Sequence, residues 1–322
     1  MIPLNNFVKL IRNEQMKMYS QITTKVMVIT FAILILAFGI FQKVDDSFLS
    51  GGDVPSGDDW KEVLQEQNDL LQGEDGSREA IQYPAFMDVE VNQYYIDNNI
   101  KPTTFDAWDF VQMNKGFISI ISLFTIIVAA SIVANEFKWG TIKLLLIRPI
   151  SRAKLLLAKY VSVLIFALTL LVFLYVFSFV VGGALFGIDS ISQTYVFRQG
   201  DSIEQAPIFA HTAFRYLLSS INLVMMATFA FMISAVFRNS SLSIGIAIFL
   251  MMAGNSILLF LAGREWAKYI LFANTDLTVY LEGGPMFEGM TAVFSVGVLI
   301  VYYVLFIVLA WLFFTKRDVA NA

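Results

Sequence analysis

Six long apolar stretches with no charge in their central portions constrain this chain more than any other feature of it. They occupy residues 26–41, 117–134, 155–187, 217–237, 242–262 and 290–314. A hydrocarbon layer about 30 Å thick takes about 20 residues of helix to cross, which five of these approach or exceed and the first reaches with its flanks. Lysines bound that first stretch at Lys25 and Lys43, and their long stems reach the headgroups. No small-x-small site follows Phe41, so it reads as a retained helix rather than a cleaved leader. Inside lipid every backbone N–H and C=O must be bonded within the protein, and the stretches are too long for barrel strands. Hydrophobic residues make up 57% of the 322, more than a single soluble core could hide. The absence of cysteine excludes disulfides and thiolate metal or redox sites.

Charge sets the expected orientation. Lys9, Arg12, Lys17 and Lys25 precede the first span; Lys138, Lys143, Arg148, Arg152, Lys154 and Lys159 follow the second; Arg238 lies between the fourth and fifth; Lys316 and Arg317 follow the sixth. On a six-span count all four groups share one side, and the positive-inside rule makes that side cytoplasmic. Both termini are therefore expected there, in an all-α protein of the cell membrane with a small extracellular domain between helices 1 and 2. The expected segments are a surface helix over 1–24, spans over 25–42, 116–134, 155–187, 217–237, 242–262 and 290–314, and a tail over 315–322. The connections expected on the inside are 135–154 and 238–241, and those on the outside 43–115, 188–216 and 263–289.

The outer block 43–115 is rich in carboxylates, opens with a Gly/Ser/Asp/Pro linker over 50–59, and then spaces Trp60, Val63, Leu64 and Leu71 as a surface helix does. A second amphipathic piece is expected over 87–96. Residues 4–19 place Leu4, Phe7, Val8, Ile11 and Met18 among Lys9, Arg12 and Lys17, the pattern of a helix lying on the inner leaflet. The central spans offer only modest polar groups, such as Thr169, Asn222, Thr228, Asn255 and Ser256, which disfavours a proton relay or sodium-coupled carrier. The single histidine, His211, falls in the loop before the fourth span with no second histidine to join it. No phosphate-cradling Gly-x4-Gly-Lys-Ser/Thr pattern occurs, so any ATP that drives this chain binds another. No catalytic, cofactor or metal site is expected, and nothing points to nucleic acid.

The stretch 134–160 reads ANEFKWGTIKLLLIRPISRAKLLLAKY. Pro149 disfavours helical geometry at Arg148, and Ser151 suits the N-cap of a helix that follows, giving a helix-turn-helix knuckle. The order Glu136, Gly140-Thr141, Leu145, Arg148-Pro149, Ser151-Arg152, Lys159 resembles the loop between the second and third helices of ABC-2 type transporter permeases, the membrane subunits of ABC exporters. The likeness extends more faintly to the amphipathic N-terminus, the six spans and the stretch 269–273.

The resemblance implies that the loop receives force from a separate nucleotide-binding subunit. Glu136 would end the second helix, Gly140 and Thr141 would open the coupling segment, and Arg148, Pro149, Ser151 and Arg152 would close it. It also implies short re-entrant helices near 267–273, cytoplasmic ABC ATPase partners, and a second permease chain, homo- or heterodimeric. The cargo would be an amphipathic peptide, lipid-linked molecule or drug moved outward by alternating access, with ATP hydrolysis left to the partner. The outer block is longer than the simplest family pattern. The alternative is a non-transporting sensor or immunity subunit whose outer domain binds a ligand.

Overall fold

The computed structural model describes residues 4–44, 58–72, 89–102, 105–140, 150–188, 194–199, 202–282 and 284–316. Helix α1 (Leu4–Ser20) is followed after one residue by α2 (Ile22–Val44). Two short helices come next, α3 (Trp60–Gln72) and α4 (Val89–Asp97). A 32-residue rod then combines α5 (Ala107–Met113), a 3-10 turn (Asn114–Phe117) and α6 (Ile118–Lys138). The longest helix is α7 (Arg152–Leu185), and after it a hairpin of β1 (Thr194–Gln199) and β2 (Ser202–Pro207) leads into α8 (Ile208–Phe237). The remainder is α9 (Ser240–Leu261), a 3-10 turn (Glu265–Tyr269), α10 (Leu271–Asn274), α11 (Val279–Glu282) and α12 (Ala292–Lys316).

The structure is mostly helical, and α2, the α5–α6 rod, α7, α8, α9 and α12 are long and apolar enough to cross a membrane. These six are the expected spans, several of them extended. The second gains α5 at its start, where the Asp106 carboxylate accepts from the Trp108 N–H and Asp109 reaches back to the Asp106 N–H, forming a capping box. The fourth starts at Ile208, because α8 continues straight out of the β-hairpin. That hairpin corrects the all-helical expectation: Thr194 faces Pro207 and Gln199 faces Ser202 in antiparallel register, within the stretch 188–216 read as a loop. Tyr195, Val196 and Phe197 supply the aromatic and β-branched side chains that suit such a ribbon.

The two larger apolar clusters fill the bundle. One joins Phe31, Ile35, Phe110, Ile121, Phe166, Leu170 and Leu174 and binds α2, α5 and α6 to α7. The other joins Ile126, Met226, Phe231, Leu299 and Phe306 and binds α6 and α8 to α12. Helix α8 is central, 61% of its apolar window being buried against 17% for both α9 and α12. Small and hydroxyl residues permit its close approach to α6: the buried Ser234 Oγ donates to the Ala130 carbonyl at 2.6 Å and accepts from the Ala134 N–H at 3.1 Å. At the opposite end of α7, a Cβ on Gly182 would meet the Ala107 backbone at 3.0 Å, so a glycine allows α5 to lie against α7.

Segment 263–289, expected to hold short re-entrant helices near 267–273, holds the 3-10 turn, α10 and α11. The buried Asn274 ties this segment together, donating to the Lys268 and Ile270 carbonyls at 2.9 and 2.8 Å and accepting from Ser295 Oγ on α12 at 2.8 Å. Gly254 on α9 leaves room for the Phe272 ring, which stands 2.5 Å from where a Cβ would be.

Candidate functional site: a buried ion cluster beside the basic loop

The helices alternate in direction, so one end of the bundle collects the start of α7 with the ends of α6, α8 and α12. Arg152 donates to the Thr315 carbonyl at 3.3 Å, the Phe137 and Phe314 rings meet edge to face, and the Arg238 guanidinium stacks 4.4 Å from the Phe137 ring centroid. Arg238 itself has a left-handed backbone (φ 55°) and ends α8, after which the Asn239 side chain accepts from the Leu242 N–H and caps α9. The expected turn 238–241 is thus tighter than supposed, with only two residues outside the helices.

At this end lies the most polar buried feature of the bundle. Lys159, two turns into α7, is fully buried. Its ammonium donates to Glu14 Oε2 on α1 and to Glu136 Oε1 near the end of α6, both at 2.9 Å. Lys17 stands 3.7 Å from Glu14 and 3.6 Å from Glu136, which brings the formal charge of the four groups to zero. Gln15 adds a hydrogen bond to the Ser162 carbonyl on α7 at 2.8 Å. An ammonium deep in a spanning helix is costly, by about 3 kcal/mol near the centre, unless it is paired. Two carboxylates at hydrogen-bond distance offset that cost and lock α1 to α6 and α7.

The cluster also changes the expected place of α1. Its face towards the bundle carries the buried Glu14 and Met18, while Val8 and Met16 are exposed. Rather than only resting on the lipid surface, α1 is clamped to the spanning helices. Next to Lys159, Tyr160 continues the polar seam, its hydroxyl bonding Thr228 on α8 at 2.7 Å and Tyr303 on α12 at 3.2 Å.

The residues expected to couple the loop to an ATPase divide accordingly. Glu136 ends the second spanning helix as foreseen, but its carboxylate points into the ion cluster. Gly140 adopts φ +66°, a left-handed backbone that ends α6 just after the exposed Trp139. Ser151 is the N-cap of α7, accepting from the Lys154 N–H. Arg152 opens α7 and reaches α12. Thr141, Arg148 and Pro149 lie outside the described residues, as does the first helix of the expected knuckle, ending near Arg148.

His211 corrects another expectation, for it sits in the first turn of α8 rather than in a loop. Its ring is buried against Phe197 and Tyr195 of β1, with centroids 4.1 and 4.9 Å away, so it seats the hairpin on α8. The cap at this end extends to α3 and α4, where buried Asn92 donates to Asn68 Oδ1 at 3.0 Å and Arg198 of β1 pairs with Glu90. Among the described residues no group of three or more His, Asp or Glu side chains could hold a metal ion.

Six apolar helices around a buried, charge-neutral seam make this a multi-pass helical membrane protein. It belongs to the family described as "Protein of unknown function (DUF2705)", whose model matches residues 80–320. Two relatives from Bacillus subtilis (strain 168) are similar to it. "Uncharacterized protein YhcI" is 42% identical over 97% of this chain and 99% of its own length. "Uncharacterized membrane protein YdbK" is 32% identical over 62% of this chain and 78% of its own length.

Proposed function

We propose that this chain is the permease subunit of an ATP-driven exporter of the ABC-2 type, working with a separate cytoplasmic ATPase and a second permease chain. The observation that carries this reading is the ion cluster. Glu136 and Lys159 bracket the basic loop 139–151; Lys159 is hydrogen-bonded to Glu14 of α1 and Glu136 pairs with Lys17 of the same helix, so a push on that loop reaches three helices as one body. In this reading the basic end faces the cytoplasm, and the cap of α3, α4 and the hairpin faces outward. The second chain would dock on an apolar face left open in the bundle; α9 and α12 expose Phe249, Met252, Phe260, Val293 and Val301. Because such a face is equally at home in lipid, dimerisation rests on the family likeness.

The test is purification of the tagged chain in mild detergent, with an ATPase assay on whatever accompanies it. Trp139 and Lys154 flank the loop and are exposed, so W139A and K154E leave the bundle intact while removing an aromatic anchor and reversing a charge. An ATP-hydrolysing partner that accompanies the natural chain and is lost from the variants supports the reading. Absence of any such partner removes it and favours a ligand-binding sensor, whose site would lie in the folded cap.

A further inference from the structure

At the end of the bundle opposite the ion cluster, a polar recess and an apolar groove share one side chain. The recess is lined by Gln112 and Lys115 of the α5–α6 rod and by Thr212, Arg215 and Tyr216 of α8. Arg215 donates to Gln112 Oε1 at 3.4 Å, which brings its guanidinium beside the rod. Thr212 is fully buried, and its hydroxyl oxygen has no hydrogen-bond partner within the chain. A buried hydroxyl without a partner costs stability, and here it lines a recess that also carries two cations. The recess is too narrow to enclose a water molecule, so only its mouth, where the half-buried Lys115 and Arg215 stand, has room for an oxyanion.

The groove runs between α7 and α8, has a volume of about 250 Å³, and is lined almost wholly by apolar groups, among them Leu168, Val172, Val176, Ala213 and Leu217. Tyr216 belongs to both walls, its hydroxyl donating to the Val111 carbonyl at 2.7 Å. Depth along the bundle orders the two parts. Lys115 precedes Lys138, and Arg215 precedes Arg238, by 23 residues each. At 1.5 Å per residue both cations stand roughly 35 Å from the basic end, which is headgroup level across a hydrocarbon layer of about 30 Å. The groove extends from Tyr175, near that level, inward to Leu168, roughly 10 Å deeper.

We propose that this composite site binds a phospholipid with an anionic headgroup, its phosphate at Lys115 and Arg215 at the mouth of the recess and an acyl chain along the groove between α7 and α8. The site stands whether or not the chain transports anything. Guanidinium and ammonium groups match phosphate oxygens, and an alkyl chain completes the apolar wall.

The test uses the full chain purified in detergent, reconstituted with phosphatidylglycerol or phosphatidylcholine, returned to detergent, and examined by native mass spectrometry for retained lipid. The expected result is about one phosphatidylglycerol per chain, held in preference to phosphatidylcholine. Retention falls about fivefold in each of K115Q and R215Q, as loss of one basic contact implies. A213W, which fills the groove from its exposed side and removes no charge, also loses the lipid, so the outcome does not depend on a charge variant folding. Equal retention of the two lipids, or undiminished retention in all three variants, overturns the proposal. Displacement of the lipid by excess inorganic phosphate, with thermal stabilisation of the natural chain by phosphate but not of K115Q, would make this a site for free oxyanions and would overturn it as well.

Discussion

Lys159 concentrates the consequences of single side chains. K159M leaves Glu14 and Glu136 with only the half-exposed Lys17 between them, one positive charge short. It is expected to destabilise the bundle by about 3–5 kcal/mol, as removal of one partner from a buried ion pair does. The triple change E14Q/K159M/E136Q removes the unpaired charge and should recover most of that loss. Thermal unfolding in detergent, followed by intrinsic fluorescence, checks both. A triple variant no more stable than K159M would show that the three groups contribute through packing instead of charge. Glu136 and Lys159 were legible in the sequence as members of a basic loop motif, but not as partners. Glu14 carries a fainter signal: it is the lone carboxylate in residues 1–44, and it lies four residues from Met18 on the buried face of α1. Spacing reveals which face a residue shares, and pairing with a lysine 145 positions away is set by tertiary packing.

Among the elements, helix boundaries depend on local chemistry that can be tested directly. S151A removes the N-cap of α7 and should cost about 1 kcal/mol, while S151D should retain the cap; the same unfolding measurement distinguishes them. G182L forces a side chain against the Ala107 backbone and should cost about 1–3 kcal/mol by prising α5 from α7. The cap offers a pH test. Tyr95 of α4 is half-buried beside Val196 of β1, and desolvation pushes its phenol from 10.0 up to about 12. The unfolded cap can therefore lose this proton at a lower pH than the folded one, so the stability Tyr95 contributes is present below about pH 10 and is lost as the pH rises towards about 12. Y95F should reduce this alkaline loosening, measured by hydrogen exchange at α4 and the hairpin. The six spans, α1, α3 and the N-cap at Ser151 were all readable from periodicity and capping residues. The hairpin was not, since six-residue strands give little pattern and one of these is polar enough to pass for a loop. The early start of the second span was hidden because charged and amide side chains interrupt the apolar run just where α5 stands.

For the whole molecule the central prediction is orientation. The chain has no cysteine, so single cysteines can be introduced without first removing any. In intact cells a membrane-impermeant thiol reagent should label Q93C in the cap and leave K154C unlabelled until the membrane is opened. The reverse result would invert the bundle and, with it, the ATPase-facing role of the basic loop. The lysine and arginine pattern made this expectation possible, and the alternation of helix ends in the fold brings all the described basic segments together. What the pattern could not reveal is that the two ends differ in kind: one is closed by ions, the other by aromatic rings and an extended ribbon.

The clamp on α1 also bears on how the protein is made. Glu14 leaves the ribosome 145 residues before Lys159. At about 5–20 residues per second, the first helix must wait roughly 7–30 s for its partner to be synthesised. Lys17, one turn away on the same helix, can hold the Glu14 carboxylate during that interval. The exposed lysine then acts as a placeholder, keeping the helix at the membrane surface until the third span arrives with the buried one.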